Sequence, residues 1–198
     1  MTDRPLVQPR KTSIIAGLIQ LARGDATGIM QFGHTPRSFL LSLIPLIALP
    51  LAVSFSMVAT NEIQRGLTYL CAAIAALLAS PVITHLLAKY WKRDHFWLRY
   101  AIAFNWSQFA ITLLLLILFR VLASVMASVN AGQPSAGLAV AIALGFLGLL
   151  GYTFWLHWFI ARCGLGISRW QAVVVVLATY AGSLAILLIG GPRLMGQG

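Results

Sequence analysis

Acidic residues are nearly absent from this chain. Asp3, Asp25, Glu62 and Asp94 are the whole set, and none of them falls inside an apolar run. A carrier that couples transport to protons or cations through a buried carboxylate is therefore not expected. Cysteine is almost as scarce: Cys71 and Cys163 are alone, have no ligand-like neighbours, and fall near opposite ends of the expected spans. They read as small packing residues and not as a disulfide. His34, His85, His95 and His157 lack metal-ligand spacing. No Walker A phosphate loop and no HExxH zinc helix occurs. Ala181-Gly182-Ser183 lacks the flanking glycines of a serine nucleophile turn. Catalysis, metal binding and cofactors are thus not expected.

What the chain has instead is apolar length. Of its 198 residues 60% are hydrophobic and only 9% charged, and the mean hydropathy is +0.87. Those values describe an integral membrane protein. The net charge of +10 comes from 14 Lys and Arg. No recognition helix or stacking motif accompanies it, so nucleic acid is not an expected partner. Charges of this kind set topology and meet anionic lipid headgroups.

Five runs are about the ~20 residues needed to cross a bilayer: 39–60, 67–88, 100–126, 137–161 and 170–191. Pro45 and Pro50 are expected to bend the first, and Pro81 the second. Ahead of them lies a cytoplasmic N-terminal segment, 1–38, whose first ten residues read as a disordered tail. Ser13 can cap a short helix through Arg23, with Ile14, Leu18 and Leu21 on one face and Ala16, Gln20 and Arg23 toward the other. The expected fold class is an all-α integral membrane protein: five transmembrane helices with an N-terminal amphipathic interfacial helix. A cleaved signal peptide is the competing reading, but Gly17 and Gln20 interrupt the run and no clean cleavage site follows. Residues 192–198 are expected to form an external C-terminal tail.

Loop charge orients the chain. Arg4, Arg10, Lys11, Arg23, Arg37, Lys89, Lys92, Arg93, Arg99, Arg162 and Arg169 fall on one side of the spans; Arg65, Arg120 and Arg193 fall on the other. By the positive-inside rule the N-terminus is cytoplasmic and the C-terminus external. All six tryptophans, 91, 97, 106, 155, 158 and 170, lie toward the basic side. An odd number of spans argues against a carrier of two inverted halves.

Polar residues within the spans are the functional lead. Asn105, Gln108 and Thr112 recur at i, i+3, i+7 and share one helical face. At ~1.5 Å per residue Asn105 lies roughly 8 Å and Gln108 roughly 12 Å from the basic end of the third span. His85 and His157 fall in the same half of the membrane, with Tyr152, Thr179 and Tyr180 nearer its middle. Asn105-Trp106-Ser107 matches a glycosylation acceptor but sits inside a span, so it reads as a false positive. The band of His85, Asn105, Trp106, Gln108, Thr112, Tyr152 and His157 can hold helices together or line a cavity open to the cytoplasm. Lys89, Lys92, Arg93, Arg99, Arg162 and Arg169 form a second candidate surface, for anionic lipid or an acidic partner. Gly145, Gly148 and Gly151, and Ala178 with Gly182, permit close helix approach, expected to be internal.

Three segments carry a family resemblance. They are Leu21-Ala22-Arg23-Gly24-Asp25 before the first span, Asn105-Trp106 in the third, and Ala161-Arg162-Cys163-Gly164-Leu165-Gly166-Ile167-Ser168 leading to Ala172. Together they resemble bacterial members of the Yip1-like family of small five-span membrane proteins. The resemblance implies five spans, a cytoplasmic N-terminus and no catalytic residues. Eukaryotic relatives bind small GTPases and one another, but their acidic, tyrosine-containing motif has no counterpart here. The expected function is a non-enzymatic membrane scaffold or accessory protein that associates with other membrane proteins or organises lipid. A small permease is the alternative.

Overall fold

The computed structural model describes residues 13–130 and 136–195. The expected N-terminal tail, residues 131–135 and the last three residues lie outside the described residues. Six α-helices follow in order: α1 (Ile14–Ala22), α2 (Pro36–Ala59), α3 (Ile63–Tyr90), α4 (Asp94–Asn130), α5 (Ala136–Leu165) and α6 (Arg169–Met195), with a 3₁₀ helix, Ala26–Gln31, between α1 and α2. Five of them, α2 to α6, are long and apolar enough to cross a membrane. Among the described residues there is no strand. The molecule is an all-helical, multi-pass membrane protein.

Its surface carries the same message. Leu114, Leu116, Ile117 and Phe119 on α4, Leu144 and Leu147 on α5, and Leu177 and Leu184 on α6 are all exposed. In water such a surface would aggregate, whereas hydrocarbon solvates it and leaves each helix to satisfy its own backbone. Pro45, Pro50 and Pro81 lie inside α2 and α3 without ending either helix. At 37 residues, α4 is ~55 Å long against a hydrocarbon layer of ~30 Å, so it overruns the bilayer.

Packing is uneven along the bundle. The dense core gathers where α3 and α5 end and α4 and α6 begin, around Ala88, Tyr100, Ala103, Ile160, Leu165 and Ala172. This is the end that carries the basic loops. Helix α3 packs chiefly on α6, α4 on α5 and α2 on α3. Small residues set some of these approaches. A Cβ at Gly66 would come within 2.9 Å of the Ser54 carbonyl, and one at Gly182 would collide with Cδ1 of Ile83. The internal packing expected for the α6 small-residue face is thus seen at Gly182. On α5 it is not: a Cβ added at Gly145, Gly148 or Gly151 would meet nothing within 4 Å.

The N-terminal segment folds back onto the core end. Ser13 caps α1 by accepting from the Ala16 amide at 3.4 Å. Gly24, at φ +79°, then reverses the chain in the left-handed region that glycine tolerates. Asp25 caps the 3₁₀ helix, accepting from the Thr27 amide at 2.9 Å and the Thr27 hydroxyl at 2.8 Å. Those two bonds hold its carboxyl below the usual carboxylate range. Leu21, Ile29 and Phe32 are buried in the shared core, while Ile15 and Ile19 point outward. Helix α1 is therefore apolar on both sides. Leu21 is buried in the same cluster as Tyr100, Leu156 and Ile160, so this part of α1 faces the bundle.

Candidate functional site

Asn105 sits on α4 opposite α2 and is only 3% exposed. Its Nδ2 donates to Ser42 Oγ at 2.9 Å, and Ser42 in turn donates to the Phe39 carbonyl at 2.7 Å. This relay joins two helices through groups that would otherwise be stranded in hydrocarbon. Toward the basic loop the same helix pair meets α3. Trp97 Nε1 donates to Thr84 Oγ1 at 3.1 Å, Phe39 packs at 5.3 Å from the Trp97 ring and His85 meets it edge-on at 4.7 Å. His85 itself is exposed.

The second polar pair lies between α5 and α6. His157 is 1% exposed, and its Nδ1 is 2.7 Å from the Tyr180 hydroxyl. The Phe104 ring covers it at 4.6 Å. Its other nitrogen, Nε2, is buried with no partner.

The remaining band residues go elsewhere. Gln108 is half-buried, and its main-chain carbonyl accepts from Thr112 Oγ1 at 2.7 Å, so Thr112 spends its hydroxyl on a local helix bond. Tyr152 reaches across to the N-terminal segment and donates to the Ala22 carbonyl at 2.7 Å. Trp106 is half-buried and lines a surface groove. The seven band residues thus divide among separate contacts. Two grooves of about 520 and 370 Å³ open on the surface, and neither is lined by His85, Asn105, Gln108, Tyr152 or His157.

The basic residues collect at the core end. Lys89, Lys92, Arg93 and Arg169 are exposed. Lys92 closes the α3–α4 turn at φ +57°, a left-handed conformation costing a non-glycine residue ~1 kcal/mol. The Arg162 guanidinium lies 5.7 Å above the Trp158 ring, and Trp158 Nε1 donates to the Arg169 carbonyl at 3.1 Å. Arg99 differs from these. It is half-buried; one terminal nitrogen meets the Met30 sulfur at 3.3 Å, and its Nε has no partner. Among the described residues, Arg65–Glu62 at 3.2 Å is the one ion pair.

Sequence reasoning passed over Ser42 and Thr84, and named Tyr180 only as a residue near the middle of the membrane. A serine alone in an apolar run carries the same signal as Asn105 did. Their pairing depends on helix register, which no local pattern reveals. Among the described residues no three of His, Cys, Asp and Glu converge as a metal-ligand set. Comparison with protein-family models, curated proteins and solved structures finds no match to this chain.

Proposed function

We propose that this chain is a non-enzymatic scaffold or accessory protein of a bacterial inner membrane, associating with other membrane proteins or organising lipid. One observation carries the reading: the buried polar groups Asn105 and His157 are bonded to neighbouring helices through Ser42 and Tyr180 and line neither of the two surface grooves. Polar groups used in this way serve assembly. The open glycine face of α5 supplies a surface on which a partner helix can approach closely. Loop charge supports a cytoplasmic N-terminus and an external C-terminus, and the exposed Ile15 and Ile19 support α1 lying at the cytoplasmic interface. The three segments that resemble the Yip1-like family fit the same role.

Purification of the tagged chain from its native membrane at endogenous level, with co-purifying proteins quantified by mass spectrometry, tests the proposal. A stoichiometric membrane-protein partner is the expected result; a chain that emerges alone refutes the accessory role. Fusion of a periplasm-active reporter to the C-terminus tests the orientation, with activity expected.

The alternative, a small permease, draws on the unpartnered Nε2 of His157, a ring nitrogen that a solute could bond once a cavity opened to it. A cysteine placed at position 108 then reacts with a polar thiol reagent from the cytoplasm; protection from the reagent removes this reading.

A further inference from the structure

The larger groove runs between α2 and α4 and is floored by the N-terminal segment. Its volume is about 520 Å³, within the roughly 300–1,000 Å³ of ordinary ligand clefts. Two facing helical stripes form its walls, and both change character in the same direction. On α2, Ser38 is followed by Leu41, Ile44 and Pro45; on α4, Ile102 is followed by Trp106. One turn before Ile102, at the i, i+3, i+7 spacing that shares a face, stands Arg99. From the N-terminal segment Gln31 adds a polar side chain beside Gly33 and the apolar Ile14, and Met30, next to Gln31, is the residue that Arg99 touches. The groove is thus polar at the basic end and apolar along its length, and runs beside two membrane-crossing helices.

We infer that this groove holds one anionic glycerophospholipid, with its phosphate on Arg99 and an acyl chain along Leu41, Ile44, Pro45, Ile102 and Trp106. A guanidinium fits a phosphate with two parallel hydrogen bonds, and Arg99 has both the need and the capacity. The Met30 thioether it touches is a weak acceptor, the Arg99 Nε is buried without a partner, and no carboxylate pairs with Arg99 among the described residues. Lys89, Lys92 and Arg93 stand on the same end of the bundle, so a net-negative headgroup is favoured over a zwitterion whose ammonium would meet like charge. The inference takes from the proposed function only that the chain resides in a bilayer. Lipid retention is read on the isolated chain and the accessory role on what co-purifies, so either can fail alone.

The test is native mass spectrometry of the full chain in mild detergent after exposure to vesicles of equal parts phosphatidylglycerol and phosphatidylethanolamine. One phosphatidylglycerol per chain is expected on the wild type. Arg99→Gln should lower its retention about tenfold, while Lys89→Gln, an exposed cation at the same end on α3, should stay within about twofold. Leu41→Trp fills the apolar half from an exposed position, and should lose lipid with Arg99 intact; it carries the test if Arg99→Gln does not yield folded protein. Equal retention of the two lipids, retention by Arg99→Gln at the wild-type level, or a lipid-free dimer seated through this groove would overturn the inference.

Discussion

The Ser42–Asn105 contact makes an asymmetric prediction. Ser42 has two bonds, donating to the Phe39 carbonyl and accepting from Asn105, whereas the Asn105 amide nitrogen depends on Ser42 alone among its described hydrogen bonds. Asn105→Leu is close to isosteric and leaves Ser42 with its helix bond intact, so it removes only the interhelical contact, ~0.6–2 kcal/mol. Ser42→Ala instead strands a buried amide, a loss of ~1–3 kcal/mol. The smaller side-chain change should therefore do the greater damage. For a chain of this size each kcal/mol moves the unfolding midpoint by about 2–4 °C, so Ser42→Ala should lower it by about 2–12 °C in mild detergent. The double variant should fall short of the sum of the singles by ~1 kcal/mol, the coupling of a direct contact. Circular dichroism or a thiol-reactive thermal assay on the four proteins reads all of this. Asn105→Leu costing more than Ser42→Ala, or strict additivity, would refute the relay.

Four other outcomes follow from the N-terminal segment and the glycine faces. Tyr152→Phe removes the hydrogen bond to the Ala22 carbonyl, ~0.5–1.5 kcal/mol, and should speed trypsin cleavage at the neighbouring Arg23 about two- to tenfold; an unchanged rate would show the strap is held elsewhere. Gly28→Val should destabilise the fold by ~1–3 kcal/mol through overpacking, because a Cβ there already comes within 2.9 Å of the Gly17 carbonyl, whereas Gly148→Leu on the open face of α5 should leave the isolated chain within ~0.5 kcal/mol of wild type while weakening crosslinking to a native partner. Since the Asp25 carboxyl is held below its ordinary value by Thr27, its contribution is present above that ordinary value, 3.8, and is lost as the pH falls through the depressed folded one. An NMR titration should accordingly show Asp25 moving up toward 3.8 in Thr27→Val; no upward movement would remove Thr27 as the cause.

Much of the architecture was open to sequence reading because the deciding quantity is local. Whether a run of residues can cross hydrocarbon depends on its own length and polarity, and the five spans followed from that. The scarcity of acid and the one-sided distribution of Lys and Arg are equally local, and they generated the orientation now proposed. Asn105 and His157 could be singled out for the same reason, as polar groups whose transfer to hydrocarbon without a partner is expensive wherever it occurs.

Tertiary structure alone decided what those groups were bonded to. The 3.6-residue period places Asn105 and Gln108 on one face but cannot say that Ser42 stands across from the first and that the second offers its carbonyl to Thr112. Nor could apolar content tell the bundle-facing side of α1 from its outward side, since Leu21 is buried while Ile15 and Ile19 are exposed. The groove beside Arg99 belongs to the same class, being the gap left between three elements far apart in the chain. A span is a property of its own residues, while a partner or a cleft is a property of register between helices, and register is settled only when the helices pack.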